Sequence, residues 1–151
     1  VHISAKVDYA VRALVVLAAS DGTPVPGGTI AEIASLPPKF LDGILAELRR
    51  SGLVLSQRGA EGGYRLARSA KTISIAEVFR AIDGPLAEVR GERPEQTSYE
   101  GVTQPLQAVW IAVRASLRSV LEQTTLADIA ANQLPRHVQR LTAEPDAWKA
   151  R

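Results

Sequence analysis

Nine residues, RGAEGGYRL from Arg58 to Leu66, constrain this chain more than any other stretch. They follow LDGILAELRRSGLV, whose apolar residues recur at helical spacing, and they carry the glycines Gly59, Gly62 and Gly63. Short strand-like segments flank the glycines at 53–56 and 64–67. Glycine reaches backbone conformations that a Cβ obstructs, so the cluster permits a tight reversal between two strands. The pattern predicts a small hairpin, basic at both shoulders through Arg58 and Arg65, attached to the end of a helix.

The rest of the chain reads as mainly helical. Ala5 to Ala19 forms a helix with Ser4 as N-cap and an apolar face of Val7, Ala10, Val11, Leu14, Val15 and Ala18. Turn residues at 21–28 interrupt it, and Thr29 then caps a short helix through Ser35, with Glu32 at the capping-box position. Pro37 and Pro38 suit the start of a third helix, which runs to about Ser51. Phe40, Leu41, Ile44, Leu45 and Leu48 form its buried stripe, and Gly52 ends it. Ser74, with Glu77 three residues on, caps a helix that Asp83-Gly84-Pro85 stops. A polar, turn-rich segment spans 89–100. A long helix over 103–123 follows, roughly 30 Å at 1.5 Å per residue. Its stripe of Leu106, Val109, Trp110, Val113, Leu117, Val120 and Leu121 is too long for a small hairpin domain to cover, so a second copy of the chain is the expected partner. Thr125 and Asp128 mark one more short helix, and after Leu134-Pro135 the helical signal fades into a tail.

Composition excludes several classes of function. The chain has no cysteine, so disulfides, thiolate ligation of iron–sulfur clusters and cysteine nucleophiles are ruled out. No apolar run approaches the roughly 18 residues of a membrane span. The N-terminal pattern holds Asp8 and Arg12 and no secretion cleavage site, so a cytoplasmic protein is expected. Net charge is only +2, but residues 39–71 carry seven Lys or Arg against three Asp or Glu. That segregation points to a local polyanion-binding surface.

The order of helix, short helix, turn, helix and basic hairpin suits double-stranded DNA. The third helix is the candidate reader, entering a major groove N-terminus first. Lys39 reaches phosphate or guanine, Asp42 accepts from cytosine or orients a donor, and Gly43 admits close backbone approach. Arg49 and Arg50 either complement the helix dipole or touch phosphate. Ser56 and Gln57 hydrogen-bond to the backbone or to DNA. Arg58 is the strongest expected DNA contact, and Arg65 returns after the turn. Gly59, Gly62 and Gly63 shape the turn, and Tyr64 packs, with its hydroxyl in reach of phosphate. Phe40 is expected in the core rather than on a base.

Three blocks, ISAKVDYAVRAL, LPPKFLDGILAELRRSGLVLSQRGAEGGYRLA and ISIAEVFRAIDGPL, together resemble the Rrf2 family of bacterial transcription regulators. The resemblance covers nearly all of residues 1–135. It implies an intertwined homodimer with two winged helix-turn-helix lobes and long crossing C-terminal helices. The fold class is thus mainly α with a small β-hairpin wing, plus a long dimerisation helix. The implied reading helix begins near Pro38, the wing spans 58–63, and 103–123 supplies much of the dimer contact. Residues 1–86 form the DNA-binding region, 87–102 a linker or sensor-like loop, 103–134 the dimerisation helices and 135–151 a tail. Family members commonly repress promoters, and some activate.

Many relatives hold an iron–sulfur cluster through three cysteines in the loop before the long helix. Here that loop is VRGERPEQTSYEG, without cysteine. Asp8 resembles the noncysteine ligand of some relatives, but cannot replace thiolates. A conventional cluster is excluded, and no other cofactor is expected. His2 and His137 have no metal-ligand spacing, so no metal is expected. Tyr99, Trp110 and Arg114 are candidates to line an effector pocket, with no ligand class favoured; a regulatory protein partner is also open. Ser, His and acidic residues show no catalytic order, and Glu92 and Glu95 read as a polar loop, so the chain is not expected to be an enzyme. The alternative function is a winged-helix interaction module whose basic turn binds an acidic protein.

Overall fold

The computed structural model describes all 151 residues. Helix α1, Ala5–Ala19, is the centre of the fold. The Ser4 hydroxyl accepts from the Val7 N–H at 3.1 Å and starts it. Its buried face is Val7, Ala10, Ala13, Leu14 and Leu17. Val11, Val15 and Ala18 only flank that core. Around it pack α2 (Gly27–Ala34), α3 (Pro38–Arg50), α4 (Ile75–Ile82) and the short α6 (Leu126–Ala130). Leu45, Leu48, Val54, Ile73, Val78 and Leu126 are fully buried in one continuous cluster. Burying a Leu, Ile or Val side chain is worth about 1.5–3 kcal/mol, so this cluster is the main stabilising element.

Strands β1 (Val54–Gln57) and β2 (Gly63–Leu66) pair antiparallel, with Val54 opposite Leu66 and Gln57 opposite Gly63. β1 starts and ends one residue later than the sequence pattern suggests, and β2 one residue earlier. The hairpin is anchored close to its turn, where Val25 and Tyr64 exchange two backbone hydrogen bonds of 2.9 and 2.8 Å.

That anchor explains a correction in α2. The helix begins at Gly27, not after a Thr29 cap, and no side chain caps it. Val25 is held extended against Tyr64, and Pro26 supplies the carbonyl that accepts the first helical N–H, from Ile30 at 3.0 Å. Thr29 is left exposed inside the first turn. In α3 the buried set is Leu41, Ile44, Leu45 and Leu48. Phe40, expected with them, is 55% exposed. It sits one residue, about 100° of helix rotation, off Leu41 and falls outside the stripe.

The long helix α5 spans Leu106–Leu121, with none of its residues buried. Its 16 residues give about 24 Å, shorter than the 103–123 helix expected. Residues Gly101–Thr103 form a 3-10 turn instead, and Pro105 lies at the cap. At the other end Thr124 leaves the helix because its carbonyl accepts the Ile75 N–H at 2.9 Å, while Leu126 donates to Ile73 at 3.0 Å. The starts of α4 and α6 are thereby clipped together, and each carries a complete capping box, Ser74–Glu77 and Thr125–Asp128. The tail is not frayed throughout: Arg136–Ala143 forms α7, entirely without buried residues. No helix is long and apolar enough to cross a membrane.

Candidate nucleic-acid interface

Pro38 occupies the first turn of α3, where its missing N–H costs nothing. Lys39, Phe40, Asp42 and Gly43 are all exposed along the helix's early turns. A groove beside them, about 490 Å3, is lined by Lys6 and Tyr9 of α1 together with Lys39, Phe40, Gly43 and Glu47. The Lys39 ammonium stands 5.8 Å from the Phe40 ring centroid, so the ring's apolar face and the cation share one surface. Lys6 pairs with Glu47 across the groove. The sequence reading missed Lys6 and Tyr9 because no local pattern brings residue 6 to residue 47.

At the far end of α3, Arg49 and Arg50 are exposed in the last turn, where cations complement the helix dipole. Arg49 Nη1 donates to Ser56 Oγ at 3.4 Å, a long contact that links α3 to the hairpin. Leu55, Ser56, Gln57, Arg58 and Arg65 are exposed along the hairpin. Between its strands, Gly62 donates to the Gly59 carbonyl at 3.0 Å. A Cβ on Gly62 would lie 2.3 Å from the Gln57 carbonyl oxygen. One on Gly63, at φ +147°, would lie 2.4 Å from the Val25 carbonyl carbon. Only glycine fits either position, the first for the turn and the second for docking the hairpin on the 25–26 segment. Tyr64 is half-buried and packed on the core, so its ring supports the hairpin.

Ion pairing separates the cations into two populations. Lys6, Arg12, Arg68, Arg80, Arg114 and Arg118 each lie within ion-pair distance of a carboxylate. Arg12 bonds to Asp8 one turn earlier, which accounts for Asp8 without any ligand role. Lys39, Arg49, Arg50, Arg58, Arg65 and Lys71 have no such partner, although Glu61 and Asp42 lie in the same segment. Within residues 1–86 every Lys or Arg without a carboxylate partner thus lies between 39 and 71.

The second group of candidates is not gathered into one pocket. Trp110 Nε1 donates to the Tyr99 hydroxyl at 3.0 Å, and Arg90 lies 5.8 Å from the Tyr99 ring. Trp110 lines an apolar-sided cavity of about 420 Å3 with His2, Phe79, Leu86 and Val113. Arg114 faces a different cavity and pairs with Glu95. His137 Nε2 lies 2.5 Å from the Ser119 carbonyl oxygen, far in sequence from His2. Of the helix stripe, Val109 and Val113 are exposed, Leu106, Trp110, Leu117 and Val120 are half-buried, and Leu121 leans on the core.

A family model described as Rrf2, iron-dependent transcriptional regulator, matches residues 3–132. This chain belongs to the Rrf2 family. It is 54% identical over 141 residues to Rv1287 of Mycobacterium tuberculosis H37Rv, named as an HTH-type transcriptional regulator, with 93% of this chain and 88% of that one covered. The structure of CymR, the global cysteine regulator of Bacillus subtilis, superposes with a TM-score of 0.73 at 30% identity, over 87% of this chain and 98% of that one. That of T. potens IscR gives 0.66 at 32% identity, over 100% and 93%. The helices and hairpin are therefore the winged helix-turn-helix of an Rrf2 transcription regulator, and Rrf2 proteins are regulators rather than enzymes. The iron in the family description does not suit this member. The chain has no thiolate to offer a cluster, and nowhere do three His, Asp or Glu side chains come together as a metal site.

Proposed function

We propose that this Rrf2 member is a cytoplasmic homodimeric repressor that reads a two-fold-related DNA site. The observation that carries the reading is the division of cations: Lys6, Arg12, Arg68 and Arg80 of the lobe pair with carboxylates, and those of α3 and the hairpin, with Lys71 just beyond it, do not. An unpaired, exposed guanidinium gains little in the free protein and is available to displace counterions from phosphate. Lys39, Asp42 and Gly43 face the major groove, with Phe40 beside them as an apolar surface for a thymine methyl. Arg49, Arg50, Ser56 and Gln57 bind backbone, and Arg58 and Arg65 follow the adjacent backbone or minor groove. Gly59, Gly62, Gly63 and Tyr64 hold the hairpin in shape.

The dimer is supported by α5, which carries a seven-residue apolar stripe and buries none of it fully within one protomer. On this reading residues 1–86 bind DNA, 87–102 form the junction, α5 and its neighbours to residue 134 join two copies, and 135–151 extend from them. Selection of genomic fragments by the purified protein, followed by footprinting, tests the whole proposal. A palindromic footprint is expected. Arg58→Ala should lower affinity and reduce the slope of log affinity against log salt by about 1. Equal, weak binding to every duplex, or tighter binding to an acidic protein that excludes DNA, would sink it.

A further inference from the structure

Four arginines converge on a cavity of about 460 Å3 between α4, the 84–87 segment, the loop ahead of α5, and α5 itself. Arg80 comes from α4, Arg93 from the loop, and Arg114 and Arg118 from α5. Two carboxylates answer them. Glu95 pairs with Arg114. Glu122 is shared, one oxygen accepting from Arg80 at 2.5 Å and from Arg118 at 3.0 Å. The Arg93 side chain pairs with neither; only its backbone is bonded, the N–H donating to Gln96 Oε1 at 3.3 Å and the carbonyl accepting from the Gln96 N–H at 2.8 Å.

The charge is therefore unbalanced by two in a concave site. Arg93 takes no part in the ion pairs around the cavity, yet it lines the same cavity as the arginines that do. Concave walls focus the potential of the excess cations. Guanidinium forks match the paired oxygens of phosphate and carboxylate groups. Five of the nine lining residues are charged, so an apolar ligand would leave guanidinium groups without partners there. Each arginine already bonded to a carboxylate keeps donors to spare, because a guanidinium has five.

We propose that this cavity binds a small polyanion, a molecule bearing two or more phosphate or carboxylate groups. Arg93 supplies the unshared fork, and Arg80, Arg114 and Arg118 surround the remaining oxygens. Such a ligand would bridge the winged lobe, through Arg80, to the long helix, through Arg114 and Arg118. Binding itself does not depend on the proposed DNA mode. Its regulatory consequence does: a bridging anion would fix the angle between lobe and helix, and with it the spacing of two reading helices.

The test uses the full chain in calorimetric titrations and thermal melts. Pyrophosphate probes the phosphate source and citrate the carboxylate source, with sodium chloride at matched ionic strength as reference. Saturable binding of one anion per protomer is expected. Response to pyrophosphate alone assigns phosphate groups, and response to citrate alone assigns carboxylates. Arg93→Gln breaks no ion pair and should weaken binding about tenfold, the loss of one charged hydrogen-bonding group. Arg58→Ala, altered on the hairpin, should bind the anion as the parent does. Stabilisation that merely tracks ionic strength, or unchanged affinity in Arg93→Gln, would overturn the proposal and leave an internal ion-pair network. Loss of anion binding in Arg58→Ala would place the anions on the hairpin and overturn it equally. A failed DNA titration beside an intact anion isotherm would strike only the operator-binding reading.

Discussion

Gly43 offers a substitution whose effects on folding and on DNA binding should have opposite signs. It lies inside α3, exposed, six residues after the Pro37 cap, and a Cβ built on it meets no atom within 4 Å. For the free protein, Gly43→Ala therefore introduces no clash. It removes the entropy that glycine loses in a helix interior, which is worth about 0.5–1 kcal/mol. The denaturation midpoint should rise with an unchanged slope against denaturant. The same methyl projects from the early turns of the reading helix, between Asp42 and the groove that Lys39 and Phe40 line. If the backbone approaches a base pair there, the methyl displaces it and DNA affinity falls, by roughly tenfold for a lost contact of about 1.4 kcal/mol. Chemical denaturation and fluorescence titration on one preparation measure both quantities. An unchanged or lowered midpoint would refute the helix argument. A stabilised protein with undiminished affinity for its operator would refute the close approach and move the reading surface toward the hairpin.

Gly63→Ala should act in the opposite way: its Cβ would fall 2.4 Å from the Val25 backbone at a φ of +147°, so loss of the two Val25–Tyr64 hydrogen bonds plus backbone strain costs about 3–5 kcal/mol. Hydrogen exchange at the Val25 and Tyr64 amides reads the lost docking directly, and protection equal to the parent's would contradict it. Val109→Glu replaces a half-exposed residue of the α5 stripe, so the protomer's helicity should persist while sedimentation shows monomers and operator affinity drops by roughly 100-fold as two-site engagement is lost. Glu122 is held below its ordinary value by Arg80 first and Arg118 second. A lowered carboxylate value contributes stability that is fully present above 4.5 and disappears as pH falls through the folded-state value. Glu122→Gln should accordingly flatten the acid limb of the stability–pH curve below 4.5, and an acid limb identical to the parent's would remove this pair from the link between α4 and α5.

What could be read from the chain depended on the span of the interaction concerned. Ser4, Ser74–Glu77 and Thr125–Asp128 were legible as caps because donor and acceptor lie three residues apart, and each is found capping. The glycine cluster declared a turn because its demand is on its own backbone. Phe40 misled because helical periodicity finds a stripe without fixing its edge; Leu41 is buried and Phe40, one residue before it, lines an open groove beside Lys6 and Tyr9. The start of α2 was misplaced because Val25 is committed to Tyr64, 39 positions away. Arg114 could be singled out as a pocket candidate, but its cavity joins residues from 80 to 118, and no spacing rule collects them. Charge shows the same division most clearly. Counting found a basic segment over 39–71, yet a count gives Arg68 and Arg58 equal weight. Folding gives Arg68 to Glu77 and leaves Arg58 without a carboxylate. The distribution of unpaired cations is thus set less by where the arginines lie than by where the acidic residues went, and for Lys6–Glu47, Arg68–Glu77, Arg80–Glu122 and Arg114–Glu95 only the fold decides that.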